Sequence, residues 1–252
     1  MQTFRFYLPP ERCGGDTLWL EGREAHHALH VLRVKRGEPV VVLDGAGHEL
    51  FCETADCSRK NVALQVKQKK VVPPPPCSTT LMLAIPRGKT IESIIQKSVE
   101  LGAGRIVPLL TERVVSHLAD EDRTDKRQKW QQVAIEAIKQ CGAAWLPNIE
   151  TPMAIGQFLL RKEQFDLSLV GSLQTGRRHP RDCFREFQSK HGRLPESVAM
   201  WIGPEGDFTP DELKAIKAAG ALPVSLGQLT LRVETAAIYC LSMLNYELQA
   251  PL

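Results

Sequence analysis

Apolar positions along the chain change their period once, and the change coincides with a proline run. Up to residue 72 they come in short β-rich runs at 40–43, 50–54 and 62–66, separated by turn signals at Asp44-Gly45 and Gly47. That pattern predicts strands of a small β-barrel or sandwich. The segment Val71-Val-Pro-Pro-Pro-Pro-Cys-Ser78 follows, and four consecutive prolines exclude helix and central strand. The prediction is therefore a β-domain at 1–72, a stiff linker at 73–78 and a second domain at 79–252.

Beyond the prolines, short apolar runs alternate with longer amphipathic ones. Residues 81–85 are strand-like; Ile91, Ile94, Ile95, Ser98 and Val99 then keep helical spacing from Thr90 to a stop at Gly102. A strand at 106–110 and a helix marked by Trp130, Val133, Ala134, Ala137 and Ile138 come next, then strands at 167–170 and 198–202. Thr209, Pro210 and Glu212 form a helix-start signature with Gly220 as the stop. A strand at 224–226 and an apolar-striped helix at 236–248 end the pattern. Strands alternating with helices predict an α/β fold with a mainly parallel sheet.

Composition narrows the class. With 252 residues, 43% hydrophobic and 24% charged, the chain can bury one large core or two smaller ones, which excludes disorder and fibrous repeats. No apolar run reaches the ~18 residues of a membrane helix, and the first ten residues lack a signal-like stretch, so the expected location is cytoplasmic, without membrane. Seven scattered cysteines without Cys-x-x-Cys spacing predict free thiols. No carboxylate or cysteine completes a metal site around His26, His27 and His30, and no metal is expected. The net charge of +3 means that any RNA site must be a local patch. Two stretches concentrate positive charge: 26–36, with no acid, and 177–193, with six Lys/Arg against Asp182 and Glu186.

In open α/β sheets, ligands bind where strands end at their carboxyl side. Two loops there stand out. Ile202-Gly-Pro-Glu-Gly-Asp207 leaves one strand for the Thr209 helix and presents a carboxylate between glycines. Leu226-Gly-Gln-Leu-Thr-Leu-Arg-Val-Glu-Thr235 leaves another strand for the last helix, with Arg232 and Glu234 two residues apart. Their common design predicts one shared pocket. Phosphate-loop, dinucleotide-binding and Gly-x-Ser-x-Gly motifs are all absent.

With these residues assembled, the sequence resembles the ribosomal RNA small subunit methyltransferase E family, the 16S rRNA uridine-N3 methyltransferases of the SPOUT superfamily. The resemblance spans nearly the whole chain. It rests on Arg5-Phe6-Tyr7, on His27-x-x-His-Val-Leu-Arg33 with Gly37, and on Arg87-Gly88-Lys89 followed by Ile95-Gln-Lys-Ser-Val-Glu-Leu-Gly102. Thr111-Glu-Arg113, Gln140-Cys141-Gly142, Ile202-Gly-Pro-Glu-Gly206 and Leu226-Gly227 through Leu231-Arg232-x-Glu234-Thr235 complete it. The resemblance implies a PUA-like β-barrel joined to a SPOUT α/β domain with a C-terminal trefoil knot, acting as a homodimer on 16S rRNA or the small ribosomal subunit.

It also implies a pocket for S-adenosyl-L-methionine built from Leu169, Val170 and Gly171, from Ile202, Gly203, Pro204, Glu205 and Gly206, and from Leu226, Gly227 and Leu231. On this reading Arg232, Glu234 and Glu205 carry the chemistry, while Arg5, His27, Arg33, Lys35, Arg36 and Arg87 hold RNA. Three positions depart from the family pattern: Asp207 replaces a usual glycine, and Ala143-Ala144 and Leu229 occupy places where the family usually has arginine. These departures keep two alternatives open: a non-catalytic RNA-binding assembly factor, or methylation of another rRNA or tRNA nucleotide.

Overall fold

The computed structural model describes residues 3–58, 60–88, 90–114 and 120–248, so Lys89 of the Arg87-Gly88-Lys89 motif lies outside the described residues. The chain divides into two units, Met1–Pro74 with Ile135–Leu146, and Pro75–Ala134 with Pro147–Leu252. Residues 79–252 were expected as one continuous domain; instead 135–146 group with the first unit. Backbone bonds account for the difference: Gly47 N–H donates to Ala144 O (3.0 Å) and Leu146 N–H to Gly45 O (3.0 Å). The Trp145 indole N–H adds contacts to the carbonyls of Val72 and Pro73.

The first unit is built on strands β1 (Phe4–Tyr7), β2 (Thr17–Leu20), β3 (Pro39–Leu43), β4 (His48–Cys57) and β5 (Val62–Val71). They lie in the order β1-β3-β4-β5-β2, with β1 parallel to β3 and every other pairing antiparallel. In β4, Leu50, Cys52 and Thr54 are buried while Phe51 and Glu53 face outward, the period-two pattern of a sheet with one core-facing side. Phe6, Leu18, Leu20, Val40, Val42, Val62 and Leu64 fill the core beneath it. Between β2 and β3, helix α1 (Gly22–His26) continues into a π-helical turn, His27–Leu32, which ends at Arg33 with φ 55°.

The second unit contains β6 (Ser78–Ala84), β7 (Arg105–Leu110), β8 (Asn148–Ile149), β9 (Met153–Ala154), β10 (Leu167–Gly171), β11 (Ser197–Ile202) and β12 (Leu222–Val224). The strand order is β12-β10-β11-β6-β7-β8, with β9 beside β7, and all pairings are parallel. Nearly every residue of β6 and β11 is buried, as expected of strands covered on both faces. The expected strand at 224–226 falls earlier, because its partner β10 ends at Gly171, in register with Val224.

The helices are α2 (Thr90–Glu100), α3 (Asp120–Cys141), α4 (Ile155–Leu159), α5 (Pro180–His191), α6 (Pro210–Ala218) and α7 (Val233–Leu248). Helix α2 buries Ile91, Ile94, Ile95, Ser98 and Val99, the stripe predicted for it. Helix α6 starts as its sequence dictates: Thr209 accepts from Glu212 N–H and the Glu212 carboxylate accepts from Thr209 N–H. Leu213 and Ile216 of α6 pack with Phe208, Phe158 and Trp201 in the core.

Candidate active site

Since the second sheet is parallel, the loops leaving β6, β7, β10, β11 and β12 gather at one edge. A cleft opens there, lined by Gly171, Ser172, Leu173, Arg177, Ile202, Gly203, Pro204, Glu205, Asp207, Leu226, Gly227, Leu229, Thr230, Leu231, Val233 and Ala236.

Neighbouring loops brace the loop after β11. Glu205 Oε1 accepts the Arg87 backbone N–H (3.0 Å), and Arg113 Nη1 lies 3.5 Å from Asp207 O. Buried Glu212 accepts the Glu112 N–H (2.9 Å) as well as its own helix cap, fixing residues 111–113 to the start of α6. Gly203 is closely packed, since a Cβ there would meet Phe208 N and Asp207 Oδ1 at 3.1 Å and those neighbours would have to give by a few tenths of an ångström. The loop after β10 folds on itself: Ser172 Oγ accepts Gln174 N–H (3.1 Å), and Arg177 Nη1 donates to Ser172 O (3.4 Å). Arg178 bridges to Val224, which holds the return of this loop beside β12.

Of the predicted pocket residues, Gly171, Ile202, Gly203, Pro204, Glu205, Leu226, Gly227 and Leu231 meet on the cleft wall. Leu169 and Val170 do not, because both side chains are fully buried inside β10. Gly206 is off the wall and sits against Arg113. Arg232 is exposed and Glu234 half-buried at the first turn of α7, outside the lining set, whereas Glu205 belongs to it. Sequence reasoning did not place Leu173, Arg177 or Ala236 on the wall. Arg177 could have been found as the first cation of the second basic stretch; Leu173 carries no local signal.

A family model for an RNA methyltransferase domain matches residues 73–245, and one for an RNA methyltransferase PUA domain matches 20–67. The chain is 31% identical to ribosomal RNA small subunit methyltransferase E of Synechocystis sp., an alignment covering 99% of this chain and 80% of that protein. The chain belongs to the ribosomal RNA small subunit methyltransferase E family. The Bacillus subtilis member is 29% identical over 92% of this chain and 90% of its own. A methyltransferase from Legionella pneumophila, solved with bound SAM, superposes with a TM-score of 0.86 at 32% identity over 98% of both chains. The Neisseria gonorrhoeae ribosomal RNA small subunit methyltransferase E, bound to S-adenosyl methionine, gives 0.84 at 25% identity over 97% of this chain and 98% of its own.

In this member of the methyltransferase E family, the residues expected to hold RNA fall into two kinds. Arg33, Lys35 and Arg36 are exposed, as is the Arg87 side chain in the second unit. Arg5 and His27 are instead engaged within the first unit. Arg5 Nη1 donates to Gln140 O (3.3 Å), and its guanidinium covers Gly142, where a Cβ would meet it at 3.1 Å. His27 Nδ1 lies 3.4 Å from Lys139 Nζ, a buried ammonium that also pairs with Glu24 (2.8 Å) and Glu136 (3.1 Å). Among the described residues no group of three or more His, Cys, Asp or Glu side chains could hold a metal, and no helix is long and apolar enough to cross a membrane.

Proposed function

We propose that the chain methylates N3 of a uridine in 16S rRNA of the small ribosomal subunit, using S-adenosyl-L-methionine, as a cytoplasmic homodimer. The observation that carries this reading is the cleft at the strand ends, in a chain of the methyltransferase E family. Its chemistry fits the cofactor: Leu226 and Leu231 offer apolar surface, Glu205 carries negative charge, and Arg177 carries positive charge. S-adenosylmethionine likewise combines a flat base, cationic sulfonium and ammonium groups, and a carboxylate. Family membership also supports closure of the first sheet as a PUA-like barrel and a trefoil knot in the second unit. The exposed Tyr239 and Tyr246, seven residues apart on α7, offer a face to a second copy.

Once bound, S-adenosylmethionine supplies an electrophilic methyl group. The chain's own residues do the rest. Arg33, Lys35, Arg36 and Arg87 hold phosphates, Arg5 and His27 shape the RNA-facing surface, and a splayed-out base enters the cleft, as RNA readers favour unstacked bases. Glu205 or Glu234 accepts the uracil N3 proton, and Arg232 stabilises the resulting anion with a charge-assisted hydrogen bond. Main-chain groups of 202–206 and 226–231 orient the cofactor, and alignment of the reacting atoms supplies much of the acceleration.

Arg232→Ala is expected to abolish methyl transfer and leave calorimetric binding of S-adenosylmethionine within about twofold, a pattern that marks loss of an interaction made only in the transition state. An active Arg232→Ala variant removes that residue from the mechanism. If the parent chain does not bind the cofactor, the RNA-binding assembly reading stands in place of the enzyme. Mass mapping of rRNA from a strain lacking the protein identifies the target base.

A further inference from the structure

Asp207 combines two features in one residue. Its backbone is left-handed, φ 63°, a conformation that non-glycine residues seldom adopt, although Asp and Asn do so more readily than most. Its carboxylate is used twice: Oδ1 accepts Phe208 N–H at 2.8 Å and Oδ2 accepts Leu173 N–H at 3.2 Å. The second bond joins residues 34 apart in sequence and connects two loops that both contribute to the cleft wall, since Leu173 and Asp207 both line it. Among the described residues no other hydrogen bond joins the 172–174 turn to the loop after β11. Ser172 Oγ and Arg177 satisfy groups of their own loop, and Ser172 N–H bonds to Val224 O.

From this geometry we infer that Asp207 is a positioning residue that ties the loop after β10 to the loop after β11 and so holds the cofactor cleft in its binding shape before the ligand arrives. The inference rests on the S-adenosylmethionine reading above. A preformed wall lowers the ordering cost of binding, so the tie acts on affinity for the cofactor and not on the chemical step. The left-handed backbone brings the carboxylate back over its own loop, where it can serve Phe208 and Leu173 together.

Two variants separate the parts of this device. Asp207→Gly removes the carboxylate and keeps the backbone unstrained. Asp207→Asn tolerates the same backbone but offers one acceptor oxygen instead of two and carries no charge. The first measurement is amide hydrogen exchange at Leu173 by NMR in the ligand-free protein, with melting temperature as the control for global folding. Exchange is expected to rise about fivefold or more in the glycine variant, the size of one net hydrogen bond, and by less in the asparagine variant. The second is steady-state kinetics: KM for S-adenosylmethionine rises about fivefold in the glycine variant while kcat at saturation stays within twofold, and asparagine recovers part of the loss. Unchanged Leu173 exchange in the glycine variant overturns the tie. So does an asparagine variant that exchanges like the parent yet shows the glycine variant's KM, because charge and not position would then be responsible. If the parent itself fails to bind S-adenosylmethionine, the cofactor reading falls, and the exchange data still decide whether Asp207 joins the loops.

Discussion

Two stretches of similar basic composition differ in how many of their cations have an acidic partner. In the first, residues 26–36, Arg33, Lys35 and Arg36 are exposed and their side chains bond to no other described residue; only the Lys35 backbone is engaged, with Glu38. In the second, 177–193, Arg178 pairs with Glu186 at 2.6 Å, Arg181 with Glu247 at 3.7 Å, and Arg193 with Asp166 at 2.7 Å while covering the Phe187 ring. The difference comes from secondary structure. A tight π-helical turn closed by a left-handed Arg33 projects the first set from an irregular segment, whereas α5 and its flanks bring the second set beside carboxylates. A count of cations along a sequence is therefore not a map of the field that RNA would meet.

Removing the support under the first stretch should have the largest effect. Lys139→Ala leaves Glu24 poorly solvated without its cation and deprives His27 of its contact, and a loss of about 3 kcal/mol is expected for breaking such a buried pair from one side. Urea unfolding followed by circular dichroism measures it, and a loss below about 1 kcal/mol would mean that the cluster relaxes or takes in water. The next effect is on RNA. Replacing Arg33, Lys35 and Arg36 together with alanine should lower the salt dependence of binding to single-stranded rRNA fragments by about two log units per log of salt, since each phosphate contact contributes about 0.7. The matched replacement of Arg178, Arg181 and Arg193 should lower it by less than about one, because their acidic partners already neutralise them. Equal slopes in the two triple variants would break the comparison.

Features written locally were legible in the sequence. The Thr209-Pro210-Glu212 signature sets the start of α6 because capping involves four consecutive residues. The two loops at 202–207 and 226–235 could be assigned to one pocket because parallel strands direct their carboxyl ends to one edge. What stayed hidden depends on distance or on an unpatterned backbone. The π-helical turn at His27–Leu32 has no distinctive side-chain period, and the buried Cys183, Phe184 and Phe187 of α5 are masked by the charges around them. The membership of 135–146 in the first unit rests on bonds such as Gly47 to Ala144, nearly a hundred residues apart. The Asp207 tie to Leu173 likewise has no signature other than a non-glycine residue in a left-handed turn.

The smallest expected effect sharpens the comparison from the acidic side. The Arg193 guanidinium, together with the Glu196 N–H, holds the Asp166 carboxyl down at about 2, from an ordinary value of 3.8. A folded-state value below the unfolded one means that the pair stabilises the protein above about pH 4, and that this contribution fades as pH falls from about 4 towards 2. The pair is at the surface and screened by water, so its contribution at neutral pH should be small. Urea unfolding of the parent and of Arg193→Ala at pH 5.5 and again at pH 3 tests the sign. The gap between them should narrow at the lower pH, as the unfolded chain takes up the proton that the folded chain still refuses. A gap that is constant across this range would mean that Arg193 acts through its packing on Phe187 and not through its charge, and the second basic stretch would then not be neutralised in the way the ion pairs imply.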